Sequence, residues 1–413
     1  MNFSSRVFLA IAVLILSNSE LHSQNLDLGF IHSSGELIGV AGSDIGRTEG
    51  ISSLDINPAG LATTSQICIS VSQSVRYYSY LLHRRNIGVA AINFDWDKIR
   101  FNFDNILIAI PSKKRVVFGM GLIRKTNAHL YNYRRAITWS SLFNHETTGS
   151  IYALTLSSSL KLTQKISLGF TFYRYFGTIT STVNGENHGF DAGKWAALDN
   201  SFSGWNFRMG AVFRLRKFST GLIFESPGNL NVSVRKDIST DRMYEYLFPN
   251  YDQTKWEIPF VVGFGFAYTG LKNSVFTFDF ETRQYEKSNF QLNLFEFGGQ
   301  PNWKDVNIFR MGAEFQFTKL PIRLGYAYIP QLYASNNAIG LDNEILEYED
   351  TSQNVKHLFA IGTTVKFSKV SFNFGFEHTF VKWHRNLDTR MFIEDDYTEK
   401  TFFFSSEAIY YFR

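Results

Sequence analysis

The chain has 413 residues, a formal net charge of +4 and a single cysteine, Cys68. A soluble chain of this length would divide into domains, because single cores stop growing at about 250–300 residues. In a membrane barrel, by contrast, chain length increases with the number of strands. The small charge gives no argument for a nucleic-acid partner, and one cysteine excludes a disulfide framework or a cysteine-rich metal site. The 41 Phe and 20 Tyr, against only 8 Pro, favour strands.

The N-terminus has the pattern of an export signal. Arg6 precedes the apolar run Val7–Leu16, and the small residue Ser23 precedes Gln24. We therefore predict a signal peptide over residues 1–23. Ten apolar residues are too few to span a bilayer as a helix, and no later stretch comes closer, so strands must do any spanning.

Several segments alternate between two faces. In Val275–Arg283, the side chains of Phe276, Phe278 and Phe280 share one face, and polar or charged residues occupy the other. Residues 206–216, 309–318 and 371–379 repeat the pattern. A soluble sandwich also alternates. However, a Phe-rich face opposite a face of small and charged residues, over ten to fourteen residues, is typical of a strand between lipid and a polar lumen.

Short and long connections also alternate along the chain, as in membrane barrels. From residue 101 onward the pattern predicts thirteen strands: 101–111, 115–127, 150–164, 166–183, 203–216, 218–234, 257–270, 274–286, 306–318, 320–330, 357–369, 370–381 and 398–413. Because single-chain bacterial barrels have even strand numbers, we expect a fourteenth strand before residue 101. Two segments are candidates for it, 66–80 and 86–96, and only one of them can span the membrane if both termini lie on the same side.

Four stretches carry a resemblance to a known family. The phrase Asn57-Pro58-Ala59-Gly60-Leu61 lies just ahead of the predicted first strand, where it looks like the hatch-to-barrel segment of FadL-type outer-membrane transporters of hydrophobic compounds. Residues 221–230 (GLIFESPGNL), 258–281 and 309–328 also resemble that family in their order along the chain.

The resemblance implies an all-β protein, a transmembrane antiparallel β-barrel of about 14 strands in the bacterial outer membrane. It implies an N-terminal hatch at 24–65 that plugs the lumen, and a barrel at 66–413 in which 66–80 is the first strand and 86–96 lies in the first outer loop. In this family, apolar outer loops capture hydrophobic ligands, which pass into the lumen and leave sideways through a gap in the wall. The expected partners are membrane lipid and a hydrophobic small molecule bound by a monomer, with no cofactor.

Three sets of residues are candidates for the site. The predicted outer loops at 184–202 and 235–256 carry apolar side chains for ligand capture, including Phe190, Trp195, Leu247 and Phe248, although these could instead pack on each other or join an aromatic girdle. The inward arginines Arg310 and Arg323 could receive a carboxylate, or pair with Asp279, Glu281 and Glu314. Asn57, Pro58, Ala59 and Gly60 could gate the hatch, or simply turn the chain from the hatch into the wall.

Three functions compete on the sequence alone. The leading hypothesis is passive uptake of hydrophobic molecules such as long-chain fatty acids. The alternative is an outer-membrane adaptor that binds a secreted protein and resembles the type IX shuttle barrel. A lipid hydrolase has the least support, because the chain has no G-x-S-x-G, H-E-x-x-H or P-loop pattern, and we expect neither an enzyme nor a metal site.

Overall fold

The computed structural model describes residues 26–28, 34–86, 89–112, 115–135, 141–187, 190–238, 255–287, 301–317, 320–336, 338–339, 345–346, 355–388 and 393–412. In these ranges, no helix is both long and apolar enough to cross a membrane. The predicted signal peptide, residues 1–23, lies outside them.

Fourteen antiparallel strands form a closed barrel, as the sequence predicts. In chain order they are β1 (Cys68–Asn86), β2 (Val89–Pro111), β3 (Val116–Arg135), β4 (Ser141–Lys161), β5 (Ile166–Asn187), β6 (Phe190–Arg214), β7 (Phe218–Glu225 and Gly228–Ile238), β8 (Lys255–Ile258 and Val261–Tyr268), β9 (Ser274–Arg283), β10 (Val306–Phe317), β11 (Leu320–Pro330), β12 (Val355–Lys366), β13 (Val370–Asp388) and β14 (Ile393–Tyr411). Pairing of β1 with β14, from Cys68↔Tyr411 upward, closes the wall. We call the end with the β2–β3, β4–β5 and β6–β7 links the short-turn end, and the other the extended end.

The two faces of the wall follow the predicted alternation. Phe276 and Phe278 on β9 are each 38% exposed, whereas Thr277, Asp279 and Glu281 between and beyond them are buried in the lumen. Outward apolar residues recur on neighbouring strands within about ten residues of the short-turn end, and form a lipid-facing belt. The belt includes Phe118, Met120, Leu154, Leu156, Leu168, Phe170, Met209, Phe213, Leu222, Phe264, Met311 and Leu324. This arrangement is that of a transmembrane β-barrel.

The strands are longer than the sequence predicted, and two predicted loops are wrong. Residues 89–96 form the start of β2 rather than part of an outer loop, and the first strand, Cys68–Asn86, contains most of the predicted 66–80. Most of 184–202 belongs to β5 and β6, which pair up to Asn187↔Phe190. A 21-residue strand such as β4 is about 70 Å long, roughly twice the length that a tilted span of about 9–11 residues requires. Polar and β-branched residues make up segments such as 178–183, which continue these hairpins above the lipid belt.

Residues 34–66, here called the luminal segment, pack against the inner face of the wall. They contain one turn of α-helix, α1 (Gly35–Gly39), and two 3-10 helices, Ile51–Leu54 and Pro58–Thr63. Wall glycines let its backbone approach closely: a Cβ at Gly169 would lie 2.2 Å from the carbonyl carbon of Pro58, and one at Gly325 would lie 2.4 Å from the amide nitrogen of Ala41. Small inward residues thus make room for this segment near the short-turn end.

Candidate functional site

The wall parts between β2 and β3. These strands pair only from Pro111↔Val117 to Asn105↔Ile123, although both continue towards the extended end. Beyond that level β3 stays paired with β4 as far as Arg135↔Leu142, and the short strand Leu26–Leu28 pairs with β3 at Thr126–Ala128. We call this separation of β2 from β3 the wall break.

A bulge marks each strand where the wall break begins. On β2 the register against β1 shifts between Asn105 and Phe103, which leaves Asp104 as the extra residue. On β3 the register against β4 shifts between Arg124 and Thr126, which leaves Lys125 as the extra residue. Because a bulge bends its strand and strengthens the local twist, this pair of bulges accounts for the divergence of the two strands.

A buried ion pair joins the two strands at their last shared level. Arg124 donates through Nη2 to Oδ1 of Asp104, and both side chains are 0% exposed. The Ser74 hydroxyl donates to the same carboxylate oxygen at 3.0 Å. Removal of either charged partner would leave an uncompensated buried charge, so this pair fixes the level at which the wall opens.

Side-chain contacts bridge the wall break. Lys98 and Arg100 on β2 form ion pairs with Glu146 on β4, reaching past the intervening strand β3. Lower down, the Tyr152 hydroxyl on β4 donates to the backbone carbonyl of Phe103 at 3.4 Å. Contacts of this kind hold β2 near β4 without the backbone ladder that joins the other neighbouring strands.

A charged layer connects the luminal segment to the wall break. Lys125, the bulged residue of β3, lies 2.6 Å from Oδ1 of Asp55 and stands over the ring of Tyr173, 4.5 Å from its centroid. Arg208 on β6 donates to the backbone carbonyls of Asp55 and Ile56, and pairs with Glu225 on β7. Any ligand that displaces Lys125 from Asp55 would therefore act on both the luminal segment and the wall break.

Towards the extended end, the inner face of the barrel becomes apolar. Trp256, only 4% exposed, packs edge-to-face on Phe202 with 5.9 Å between centroids, and the rings of Tyr285 and Trp303 stack at 6.1 Å. The rest of this apolar lining includes Ile151, Ile179, Leu230, Val232, Ile308, Ile329, Leu332 and Leu358. A cavity of about 60 Å³ lies between Trp256 and the charged layer, bounded below by Lys125 and Arg208.

Part of the predicted capture surface is buried instead. Trp256, Ala197 and Leu198 lie within the predicted loops 184–202 and 235–256, but each is buried, because their segments form wall strands with one face inward. The structure places Phe190 and Trp195 in β6 without describing their side chains, and Leu247 and Phe248 lie outside the described residues. Capture of ligand by these four residues stays a prediction.

The two arginines of the predicted site make ion pairs. Arg310 lies 3.4 Å from Glu281, within the lumen. Arg323 contacts Glu314 at 2.7 Å and Glu36 of the luminal segment at 3.1 Å. These contacts agree with the alternative of charge pairing and leave the guanidinium groups bound to the wall and the luminal segment.

The Asn57-Pro58-Ala59-Gly60 phrase lies inside the lumen and docks on the wall. The Asn57 side chain caps the second 3-10 helix by accepting from the Ala59 amide at 3.2 Å. It also donates to the backbone carbonyls of Ile45 at 2.9 Å and of Ala211 on β6 at 3.2 Å. At Gly60 a Cβ would lie 2.5 Å from the Thr48 carbonyl oxygen, so close packing accounts for this glycine. The phrase anchors the luminal segment to the barrel.

Solved structures show the same fold. Matches include a Pseudomonas aeruginosa FadL homologue (12% identity, 96% of this chain and 100% of that chain, TM-score 0.63) and the P. putida toluene transporter TodX (12%, 94% and 100%, 0.61). A third is the Ralstonia pickettii toluene transporter TbuX (10%, 94% and 100%, 0.55). No curated protein matches the sequence.

The fold thus defines a class: a fourteen-stranded transmembrane barrel of the FadL type, as the resemblance implied. The sequence also identifies a family within that class. A family described as BamG matches residues 51–323, from the luminal segment to β11, and the chain belongs to the BamG family.

Proposed function

We propose that this protein is an outer-membrane channel through which hydrophobic small molecules move passively. They would enter the lumen from the extended end, occupy the apolar lining and leave sideways through the wall break. The observation that carries the proposal is the order of surfaces along the lumen. An apolar lining leads to a charged layer, and the wall break lies at the level of that charged layer.

Sideways exit requires less disruption than passage along the axis. The luminal segment contacts wall strands all around the barrel, and each hydrogen bond it forms with the wall contributes about 1 kcal/mol. The wall break is bridged by partly exposed ion pairs, which contribute about 0–1 kcal/mol each, and the strand Leu26–Leu28 pairs with three residues along the edge of β3. A ligand at the charged layer therefore meets its weakest barrier between β2 and β4.

The charged layer favours a ligand with an anionic end. Lys125, Arg208 and Glu225 line the cavity below the apolar residues. Arg208 is paired with Glu225 and Lys125 with Asp55, so a ligand carboxylate would replace Asp55 at Lys125. An apolar chain that ends in a carboxylate, such as a long-chain fatty acid, would match both surfaces. Phe190, Trp195, Leu247 and Phe248 would capture it first, at roughly 25 cal/mol per Å² of apolar surface removed from water.

The height of the wall favours a second candidate, an adaptor that binds a protein partner. β4, β5 and β6 have 21, 22 and 25 residues, so their hairpins project well beyond the lipid belt. A projecting β surface offers exposed side chains to a folded protein. In this case the partner would co-purify with the barrel in mild detergent, and uptake would not depend on the apolar lining.

We expect Trp256→Asp to lower uptake of a fluorescent fatty acid into proteoliposomes about tenfold or more, because an unpaired carboxylate in the apolar lining repels a hydrophobic ligand. The conservative variant Trp256→Phe should retain most of the uptake. A shift in gel mobility on boiling would show that both barrels are folded. Equal uptake by the parent and by both folded variants would contradict the proposal and favour the adaptor.

A further inference from the structure

Strands β7 and β8 are interrupted at the same level of the wall. β7 stops at Glu225 and resumes at Gly228, and β8 stops at Ile258 and resumes at Val261. Because Glu225 pairs with Val261 and Gly228 with Ile258, the two interruptions face each other. Each contains a proline, Pro227 or Pro259, which has no N–H to donate to a ladder.

Both strands change phase there. Ile223 and Glu225 face the lumen below the interruption, but Leu230 and Val232 face it above, so the inward positions switch from odd to even. An extra residue in each strand produces such a shift and bends the strand. The two facing interruptions therefore bend the wall locally, so the sheet is not flat at this level.

A crevice of about 570 Å³ lies on the outer side of this interruption. Its floor is apolar, with Pro227, Pro259 and Phe260, and its rim is polar, with Asn229, Glu257 and Lys287. Phe260 packs edge-to-face on the outward Phe224, with 5.2 Å between centroids, which continues the lipid belt into the crevice floor. The volume lies within the range of about 300–1,000 Å³ of pockets that bind small ligands.

We propose that this crevice binds an amphiphile with one acyl chain on its proline and phenylalanine floor and an anionic headgroup at Lys287. The level supports the assignment: exposed apolar residues such as Val262 and Phe264 lie directly below, and the polar rim lies above. A site at the upper edge of the belt, apolar on one side and polar with a lysine on the other, matches the two ends of such a molecule. The site lies on the outside of the barrel and does not depend on transport through the lumen.

The test uses the full-length protein in phosphatidylcholine vesicles that contain a photoreactive probe, either diazirine-bearing palmitic acid or diazirine-bearing phosphatidylglycerol. After irradiation, mass spectrometry locates the adducts. We expect labelling at 227–229 and 257–260 to exceed that at the belt residues Phe118 and Met120 about tenfold, since enclosure in a crevice removes more of the chain from its surroundings than an open surface does. Labelling by palmitic acid alone would identify a free monocarboxylate as the ligand, and labelling by phosphatidylglycerol would identify a membrane lipid.

Two variants separate the floor from the rim. Asn229→Trp fills the crevice and should lower the labelling about tenfold with either probe. Lys287→Glu should lower it about two- to fivefold, as expected for an exposed ion pair, whereas Lys272→Glu at the short-turn end should leave it unchanged. The proposal would be overturned if the crevice were labelled no more densely than Phe118 and Met120. It would also be overturned if Asn229→Trp, in a barrel with normal heat-modifiable mobility, left the labelling unchanged. Neither result would bear on luminal uptake.

Discussion

Asp104→Ala should lower the free energy of unfolding by about 3–5 kcal/mol, because it leaves the Arg124 guanidinium buried without its counter-charge. Both side chains are completely enclosed between β2 and β3, so water cannot compensate for the loss. Urea titration of the refolded barrel, followed by tryptophan fluorescence, measures the change. The effect should be among the largest of any single polar substitution in this wall.

The double variant Asp104→Leu with Arg124→Met is the matched control. It removes both charges while keeping similar volumes, and should recover most of the lost stability. If Asp104→Ala cost less than about 1 kcal/mol, as expected only for an exposed pair, the ion pair would not fix the level at which β2 and β3 separate.

Phe278→Arg should cost about 2–4 kcal/mol, because it places a cation in lipid near the middle of the membrane. Phe278 is outward-facing and lies halfway along β9, between the short-turn end and the charged layer. The free energy of unfolding in vesicles, obtained from urea titration, measures this cost.

Leu271→Arg provides the comparison for that variant. Leu271 is also exposed and apolar, but it lies in the turn before β9, where a long side chain reaches water. We expect it to cost about 0–1 kcal/mol. Equal costs for the two arginines would show that the outward Phe residues of β9 do not face the hydrocarbon region.

The parts of the fold that follow from period-two alternation could be predicted from the sequence. On β9 and β10 every second residue faces lipid, so thirteen strands and their faces could be predicted from the pattern, and the fourteenth followed from the even strand number of bacterial barrels. The upper ends of the hairpins could not be predicted, because above the lipid belt both faces meet polar surroundings and alternation no longer distinguishes strand from loop. The loop prediction for 184–202 is wrong for this reason. The loop prediction for 86–96 came from the family resemblance, because the pattern alone left that segment as a candidate strand.

The wall break left only a weak signal in the sequence. Ile123 and Arg124 are consecutive and both buried, so the alternation of β3 fails at that point, and the polar pair Asp104-Asn105 does the same on β2. A failure of alternation by one residue is the mark of a bulge. The ion pairs across the break depend on which strands lie near each other in three dimensions, so Asp104, Arg124 and Lys125 were not identified as site residues. The apolar lining was missed because Trp256 and Leu230 belong to segments whose phase shifts at Pro227 and Pro259.

The most direct test of lateral exit is to tie the wall break shut. Lys98→Cys with Glu146→Cys replaces an ion pair that spans β2 and β4, and a short bifunctional thiosulfonate would join the two thiols. Asp199→Cys with Arg235→Cys, also a replaced ion pair but between the directly paired strands β6 and β7, is the control. Both pairs would be placed in a Cys68→Ser background.

Fatty-acid uptake into proteoliposomes is then measured before cross-linking, after it and after reduction. We expect cross-linking of 98 to 146 to lower uptake about tenfold, with recovery on reduction, since no backbone ladder joins β2 to β3 at that level and the ion pairs that bridge the break are weak. Cross-linking of 199 to 235 should leave uptake unchanged. Undiminished uptake through a barrel fully cross-linked between 98 and 146 would contradict lateral exit through the wall break.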